Sequence, residues 1–131
     1  MTALRPRPWA ECPRSLLARV RGVLTDIDDT LTRAGAIEAP ALAALHALHA
    51  ARLPVIAVTG RPMGWSEPFA RAWPIDAIVA ENGAVALFRA GDALRVEYAQ
   101  DAATRSRNAL RLRAAAARIV QEVPGATLAR D

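Results

Sequence analysis

The sequence predicts an α/β fold, a parallel sheet with flanking helices, and three observations carry that prediction. Short apolar runs alternate with helical patterns in the order strand, helix, strand, helix, strand, at the spacing of right-handed parallel crossovers. Three of the runs stop abruptly in polar, turn-favouring residues: Asp26-Ile27-Asp28-Asp29-Thr30, Thr59-Gly60-Arg61 and Glu81-Asn82-Gly83. Hydrophobic residues make up 53% of the 131, enough to bury a core. No uninterrupted apolar stretch reaches the roughly 18 residues that would argue for a membrane-spanning helix.

The elements follow in order. Residues 1–20 begin rich in Pro and Arg and turn amphipathic over Ser15–Val20, which reads as a leader with a short helix. Val23–Ile27 is a compact apolar run that fits a buried strand whose end presents side chains to solvent. Pro40 opens a helix to about Arg52, with Leu42, Leu45 and Leu48 as its buried stripe. Pro54–Thr59 reads as a second strand closed by Gly60, followed by a helix over Met63–Trp73 and a third strand at Ala77–Ala80. Val85–Arg89 and Leu94–Tyr98 flank Gly91-Asp92 as a hairpin. Asp101 is placed to cap a long Ala- and Arg-rich helix to about Glu122, which Pro124-Gly125 ends. Ala126–Asp131 reads as the start of another strand. The chain thus divides into a leader (1–20), a core (21–100) and the beginning of a further unit (101–131).

The net charge is +4, and all 17 basic residues are arginine. Arg105, Arg107, Arg111, Arg113 and Arg118 gather on the last helix. No aromatic residues interleave with them, so the pattern reads as a solvated helix face and not as a nucleic-acid surface. No nucleic-acid or membrane partner is expected, and the mild positive balance suits an anionic small molecule. Cys12 is the only cysteine, so no internal disulfide forms, and the first residues lack a signal-peptide pattern. The expected compartment is the cytoplasm. His46 and His49 read as helix-surface residues, and Trp65 and Trp73 as packing residues.

In open parallel sheets, ligands bind beyond the carboxyl ends of the strands, where the three polar clusters fall. Asp26 and Asp28 would place two carboxylates at one strand end, a repulsive arrangement unless a cation lies between them. A hard divalent ion with oxygen ligands, Mg²⁺ above all, resolves the conflict. One carboxylate can then attack phosphorus while the other handles the leaving-group proton. The plainer alternative is a strand-to-turn junction whose side chains cap backbone groups. Thr59-Gly60-Arg61 offers a hydroxyl, an exposed N–H and a guanidinium to a phosphoryl group, or forms an ordinary strand–Gly–helix turn. Asn82-Gly83 alone is a common turn dipeptide. All three clusters in this order on successive strands make a chance arrangement a poor explanation.

Val23-Leu24-Thr25-Asp26-Ile27-Asp28-Asp29-Thr30 resembles the first motif of the haloacid dehalogenase (HAD) superfamily, Asp-x-Asp-x-Thr after an apolar strand. Val58-Thr59-Gly60-Arg61 is similar to its second motif, in the form found in the branch of Cof-type, sucrose-phosphate and mannosyl-phosphoglycerate phosphatases. Ala80-Glu81-Asn82-Gly83-Ala84 resembles a signature of that same branch, class IIB. The resemblance covers about residues 20–100. It implies a three-layer Rossmann-like core, incomplete here, with the start of an α+β cap domain at residues 101–131. It further implies a Mg²⁺-dependent phosphatase acting on a small phosphorylated metabolite such as a sugar phosphate. In that family Asp26 would be the nucleophile that forms an aspartyl-phosphate and a metal ligand. Asp28 would be general acid, then base, with its backbone carbonyl on the metal. Thr59 and Gly60 would grip the transferred phosphoryl group, Arg61 and Asn82 would lie near substrate, and Asp29 and Thr30 would support the loop.

The sequence departs from the family in two places. The third motif's lysine has no counterpart, and no Gly-Asp-x-x-x-Asp cluster follows the hairpin. A chain shortened before those motifs is expected, and with it a catalytically incomplete fragment as the alternative to a working enzyme. Without the later strands, Val23–Ile27 is expected to form an exposed apolar sheet edge open to self-association.

Overall fold

The computed structural model describes residues 8–128. Its main sheet has five strands: β1 (Val23–Asp26), β4 (Val55–Val58), β5 (Ala77–Ala80), β6 (Val85–Ala90) and β7 (Ala93–Tyr98). They lie side by side in the order β1-β4-β5-β6-β7. The first three run parallel, and β6 and β7 add on antiparallel. The expected parallel sheet and the hairpin around Gly91-Asp92 are both present, and they join into one sheet. Between β1 and β4 runs α2 (Ala39–Ala50), and between β4 and β5 runs α3 (Met63–Ala72).

Strand side chains alternate between faces, and one face is the core. Val55, Ala57, Ile78, Ala80, Val85 and Leu87 are buried there with Leu45 of α2 and Ala70 of α3. Burying each large aliphatic side chain contributes about 1.5–3 kcal/mol, so this face dominates the stability. The opposite face is open at its edge, with Leu24 74% exposed and Val58 36% exposed. Among the described residues β1 pairs only with β4, so the Asp26 strand is a sheet edge, as expected.

At the far end of α3 the Arg89 guanidinium lies against carbonyls the helix leaves unpaired. It donates to the oxygens of Ala70 and Trp73, both at 3.4 Å, and to that of Arg71. Cations near a helix C-terminus complement its dipole, so this contact ties α3 to β6.

Two features depart from the sequence reading. A small hairpin, β2 (Thr32–Arg33) with β3 (Ala36–Ile37), follows the first polar cluster. Its two-residue turn puts Ala34 at φ 50° and Gly35 at φ 81°, as a type I′ connection demands. Alanine is uncommon at positive φ, which is why the turn gave no signal. The second departure corrects the expected strand at Ala126–Asp131: residues 126–128 take no strand conformation, and residues 129–131 lie outside the described residues. Gly125 at φ 83° reverses the chain, and the Ala126 N–H turns back onto the Val123 carbonyl at 3.1 Å.

The leader has a 3₁₀ turn at Trp9–Glu11 and the short helix α1 (Arg14–Leu17), a little before the expected Ser15–Val20. The last helix, α4 (Ala102–Glu122), has no buried residue. Asp101 caps it as expected, its carboxylate accepting the Thr104 N–H at 2.8 Å. That bond, with the Thr104 hydroxyl, holds the Asp101 carboxyl below its ordinary pKa. No helix among the described residues is long and apolar enough to cross a membrane.

Candidate active site

The three polar clusters sit at one edge of the sheet. β1, β4 and β5 end together there, because Asp26 is in register with Val58 and Val58 with Val79. Just past β1 the chain folds around the Ile27 carbonyl. That oxygen accepts the N–H groups of Thr30 (3.3 Å), Leu31 (2.9 Å) and Thr32 (3.0 Å). The Thr32 hydroxyl joins them at 3.1 Å. Asp29 takes φ 55°, which turns the chain sharply after Asp28. Asp26 is exposed, and its Oδ2 accepts the Thr30 hydroxyl at 3.2 Å. Thr30, expected to support the loop, therefore bonds directly to the Asp26 side chain.

Asp28 meets Arg61 in a two-pronged pair, Nε to Oδ2 at 3.2 Å and Nη2 to Oδ1 at 3.1 Å. The hydrogen bonds to Asp28, then its charge, raise the Arg61 pKa. Both side chains are well exposed, so the pair adds little to stability. What it does is fix orientation, because a planar fork on a carboxylate has one good geometry. The other side of the guanidinium faces Trp65, with 5.0 Å from the central carbon to the ring centroid. Trp65 is the first of three rings, Trp65, Phe69 and Trp73, stacked at 4.6 Å between neighbouring centroids along α3. Trp65 thus packs, as expected, and also shelves Arg61.

Thr59 is buried, and its hydroxyl oxygen accepts the Arg61 N–H at 3.1 Å. The hydroxyl proton and the exposed Gly60 N–H have no acceptor among the described residues. Two adjacent unmet donors beside a guanidinium form a ready anion cradle. Asn82 lies against this loop: a Cβ built on Gly60 would come within 3.1 Å of Asn82 Oδ1. A side chain at position 60 would push Asn82 away, which explains the glycine.

Glu81, read from the sequence as part of the third polar cluster, was given no role of its own. Its N–H donates to the Arg61 carbonyl at 3.0 Å, and its Oε1 accepts the Met63 N–H at 3.1 Å. Pro62, at the N-terminal cap of α3, has no side-chain donor or acceptor, so Glu81 caps the helix from the turn after β5. Glu81 and Asn82 both take positive φ, 52° and 55°. For a residue such as Glu that conformation costs about 1–2 kcal/mol, and it persists because these bonds over-determine it. A strained carboxylate beside Asn-Gly is not legible in one sequence.

All six expected residues, Asp26, Asp28, Thr59, Gly60, Arg61 and Asn82, therefore share one edge. Hydrogen bonds join Asp28 with Arg61 and Asn82 with Thr59, and the Asn82 side chain occupies the space a Cβ on Gly60 would need. Among the described residues no hydrogen bond joins Asp26 to the second or third cluster. No group of three His, Cys, Asp or Glu side chains able to hold a metal is present among the described residues. Mg²⁺ is often held by only one or two carboxylates, completed by phosphate oxygens and water. Asp26, unpaired with any cation among the described residues, and the backbone carbonyl of Asp28, whose carboxylate is taken up by Arg61, fit an ion held in that way.

A family model for haloacid dehalogenase-like hydrolases matches residues 23–109, and the chain belongs to that family. Among proteins of curated function none matches. A phosphatase of the HAD superfamily from Bacteroides thetaiotaomicron is 23% identical at a TM-score of 0.53, over 86% of this chain and 38% of that one, a likeness of fold. A sugar phosphatase of HAD subclass IIB is 29% identical over 52% of this chain and 28% of its own, at a TM-score of 0.44. A structure described for a trigonal-bipyramidal intermediate in a phosphoryl-transfer superfamily is 30% identical over 57% of this chain and 30% of its own, also at 0.44. The chain spans between 28% and 38% of the length of these proteins.

Proposed function

We propose that the chain carries the phosphoryl-transfer edge of a Mg²⁺-dependent phosphatase acting on a small phosphorylated metabolite, with a sugar phosphate as the first choice. The observation that carries the reading is the meeting, at one sheet edge, of the Asp26 carboxylate, the Asp28–Arg61 pair and the unmet donors of Thr59 and Gly60. Asp26 is the nucleophile: a carboxylate oxygen attacks phosphorus, and the bond to the leaving oxygen breaks. Asp28 gives the leaving oxygen its proton, then takes one from the water that releases phosphate. The Thr59 hydroxyl and Gly60 N–H hold the oxygens of the transferred group, and Arg61 and Asn82 lie beside the substrate. The Asp26 carboxylate and the Asp28 backbone carbonyl would hold Mg²⁺, which offsets negative charge as the anionic substrate meets a carboxylate. The sugar-phosphate choice rests on the Thr-Gly-Arg and Glu-Asn-Gly-Ala signatures, and α4 is then the first helix of a cap over the site. A cytoplasmic setting, where a lone thiol such as Cys12 stays reduced, goes with this reading.

A second reading is favoured by one specific observation: the chain has no lysine, and the described residues offer no third metal-ligand side chain. Losing one charged stabiliser of a transition state costs on the order of 10²–10³ in rate. Under that reading the chain binds metal and phosphate without turnover, or associates through the open β1 edge. Hydrolysis of p-nitrophenyl phosphate with Mg²⁺, lost in Asp26→Asn, supports the phosphatase. Phosphate binding by the wild-type chain without turnover supports the binding module, and reversible dimerisation in light scattering supports association through the edge.

A further inference from the structure

We propose that Glu81 is a positioning residue for the phosphoryl-binding loop, which it holds through the start of α3. The proposal rests on the reading of Thr59-Gly60-Arg61 as that loop. Thr59, Arg61 and Met63 are each hydrogen-bonded by Glu81 or Asn82, and Gly60 lies close to the Asn82 side chain. The Thr59 carbonyl accepts the Asn82 N–H at 3.4 Å, and Gly60 packs under Asn82 Oδ1. The Arg61 carbonyl accepts the Glu81 N–H at 3.0 Å, and the Met63 N–H meets Glu81 Oε1 at 3.1 Å. Pro62 has no N–H to hold.

Of these contacts only the last is a hydrogen bond from a side chain, so it alone can be removed without disturbing backbone pairing. It is also the one that reaches the helix. With it in place, the loop and the first turn of α3 move with the β5–β6 turn as one body. The Gly60 N–H and the Thr59 hydroxyl then keep a fixed separation from the Asp28–Arg61 pair. Without it, α3 has no side-chain cap and the loop gains a hinge at Pro62. Glu81 touches no reacting atom in this arrangement, so its effect passes through Gly60 and Arg61. Because the bond needs an acceptor and not a charge, glutamine can replace glutamate in it.

The test titrates inorganic phosphate, with Mg²⁺, into the full isotope-labelled chain and follows the Gly60 and Met63 amide resonances, alongside melting midpoints. Glu81→Ala is expected to weaken phosphate binding about tenfold and to speed Met63 amide exchange. Glu81→Gln is expected to bind phosphate within about threefold of wild type. A purely structural role predicts a lower melting midpoint in Glu81→Ala with unchanged phosphate affinity, and that result overturns the proposal. Equal weakening in Glu81→Gln and Glu81→Ala overturns the acceptor role. If wild type shows no phosphate-induced shift at Gly60, the functional reading of the loop falls, and the proposal with it. Normal wild-type binding that Glu81→Ala leaves intact removes the proposal alone.

Discussion

The edge formed by residues 26–30, 59–63 and 81–83 and the helix α4 are built on opposite terms. At the edge the segments are tied to one another: Asp28 with Arg61, Glu81 with Met63, Asn82 with the Thr59 carbonyl. Along α4 the hydrogen bonds are local, as in Asp101 to Thr104 and Arg118 to Glu122, and Leu110, Leu112, Ile119 and Val120 are all exposed. The edge is specified by long-range geometry that the sheet imposes. The helix is specified by propensity, one cap and i,i+4 pairs, each worth a few tenths of a kcal/mol. The difference teaches where mutations will matter: function and stability concentrate on the sheet, and α4 tolerates change until something covers it.

The largest effect breaks the comparison at its functional end. Asp26→Asn is expected to lower p-nitrophenyl phosphate turnover by at least about 10³-fold, with an unchanged melting midpoint, checked by steady-state kinetics and calorimetry. Ile78→Ala, beneath the site on β5 and fully buried, is expected to cost about 2–5 kcal/mol in urea unfolding. The matched Leu112→Ala on α4, where the side chain is 70% exposed, should stay within about 0.5 kcal/mol. Equal losses at both would mean that α4 is packed against the core in solution.

Gly60→Ala is expected to weaken phosphate binding about tenfold and to cost about 1 kcal/mol, since the new methyl meets Asn82 Oδ1 and that side chain must shift. Isothermal titration with phosphate reads the first effect and urea unfolding the second. The smallest effect concerns the cap of α4. The Asp101 carboxyl is held below its ordinary pKa, so its contribution is present above the unfolded value near about 3.9 and is lost as pH falls through the lower folded one. Circular dichroism should show α4 losing helicity through that acid window, and Asp101→Ala should remove that component.

Much of the sheet was legible because short apolar runs with polar ends are a strong local signal, and the same signal placed the six candidate residues at neighbouring strand ends. The cap at Asp101 was legible for the same reason: capping chemistry lies within a few residues of sequence. The β2–β3 hairpin was not, because Ala34 adopts a positive φ that tertiary context imposes and alanine does not advertise. Glu81 was missed because its partner, Met63, lies 18 positions away in the chain. The Asp28–Arg61 pair spans 33 positions, and although both residues were picked out as functional, their pairing was not foreseen.

The Ile27 carbonyl, shared among three amide donors and the Thr32 hydroxyl, has a further consequence. A peptide plane held by four donors cannot rotate without releasing several bonds together, so the backbone from Asp26 to Thr30 has spent its conformational entropy during folding. An arriving anion meets a surface that is already ordered. Capture should then show no slow conformational phase in stopped-flow traces, and salt should slow it by screening the chain's net positive charge.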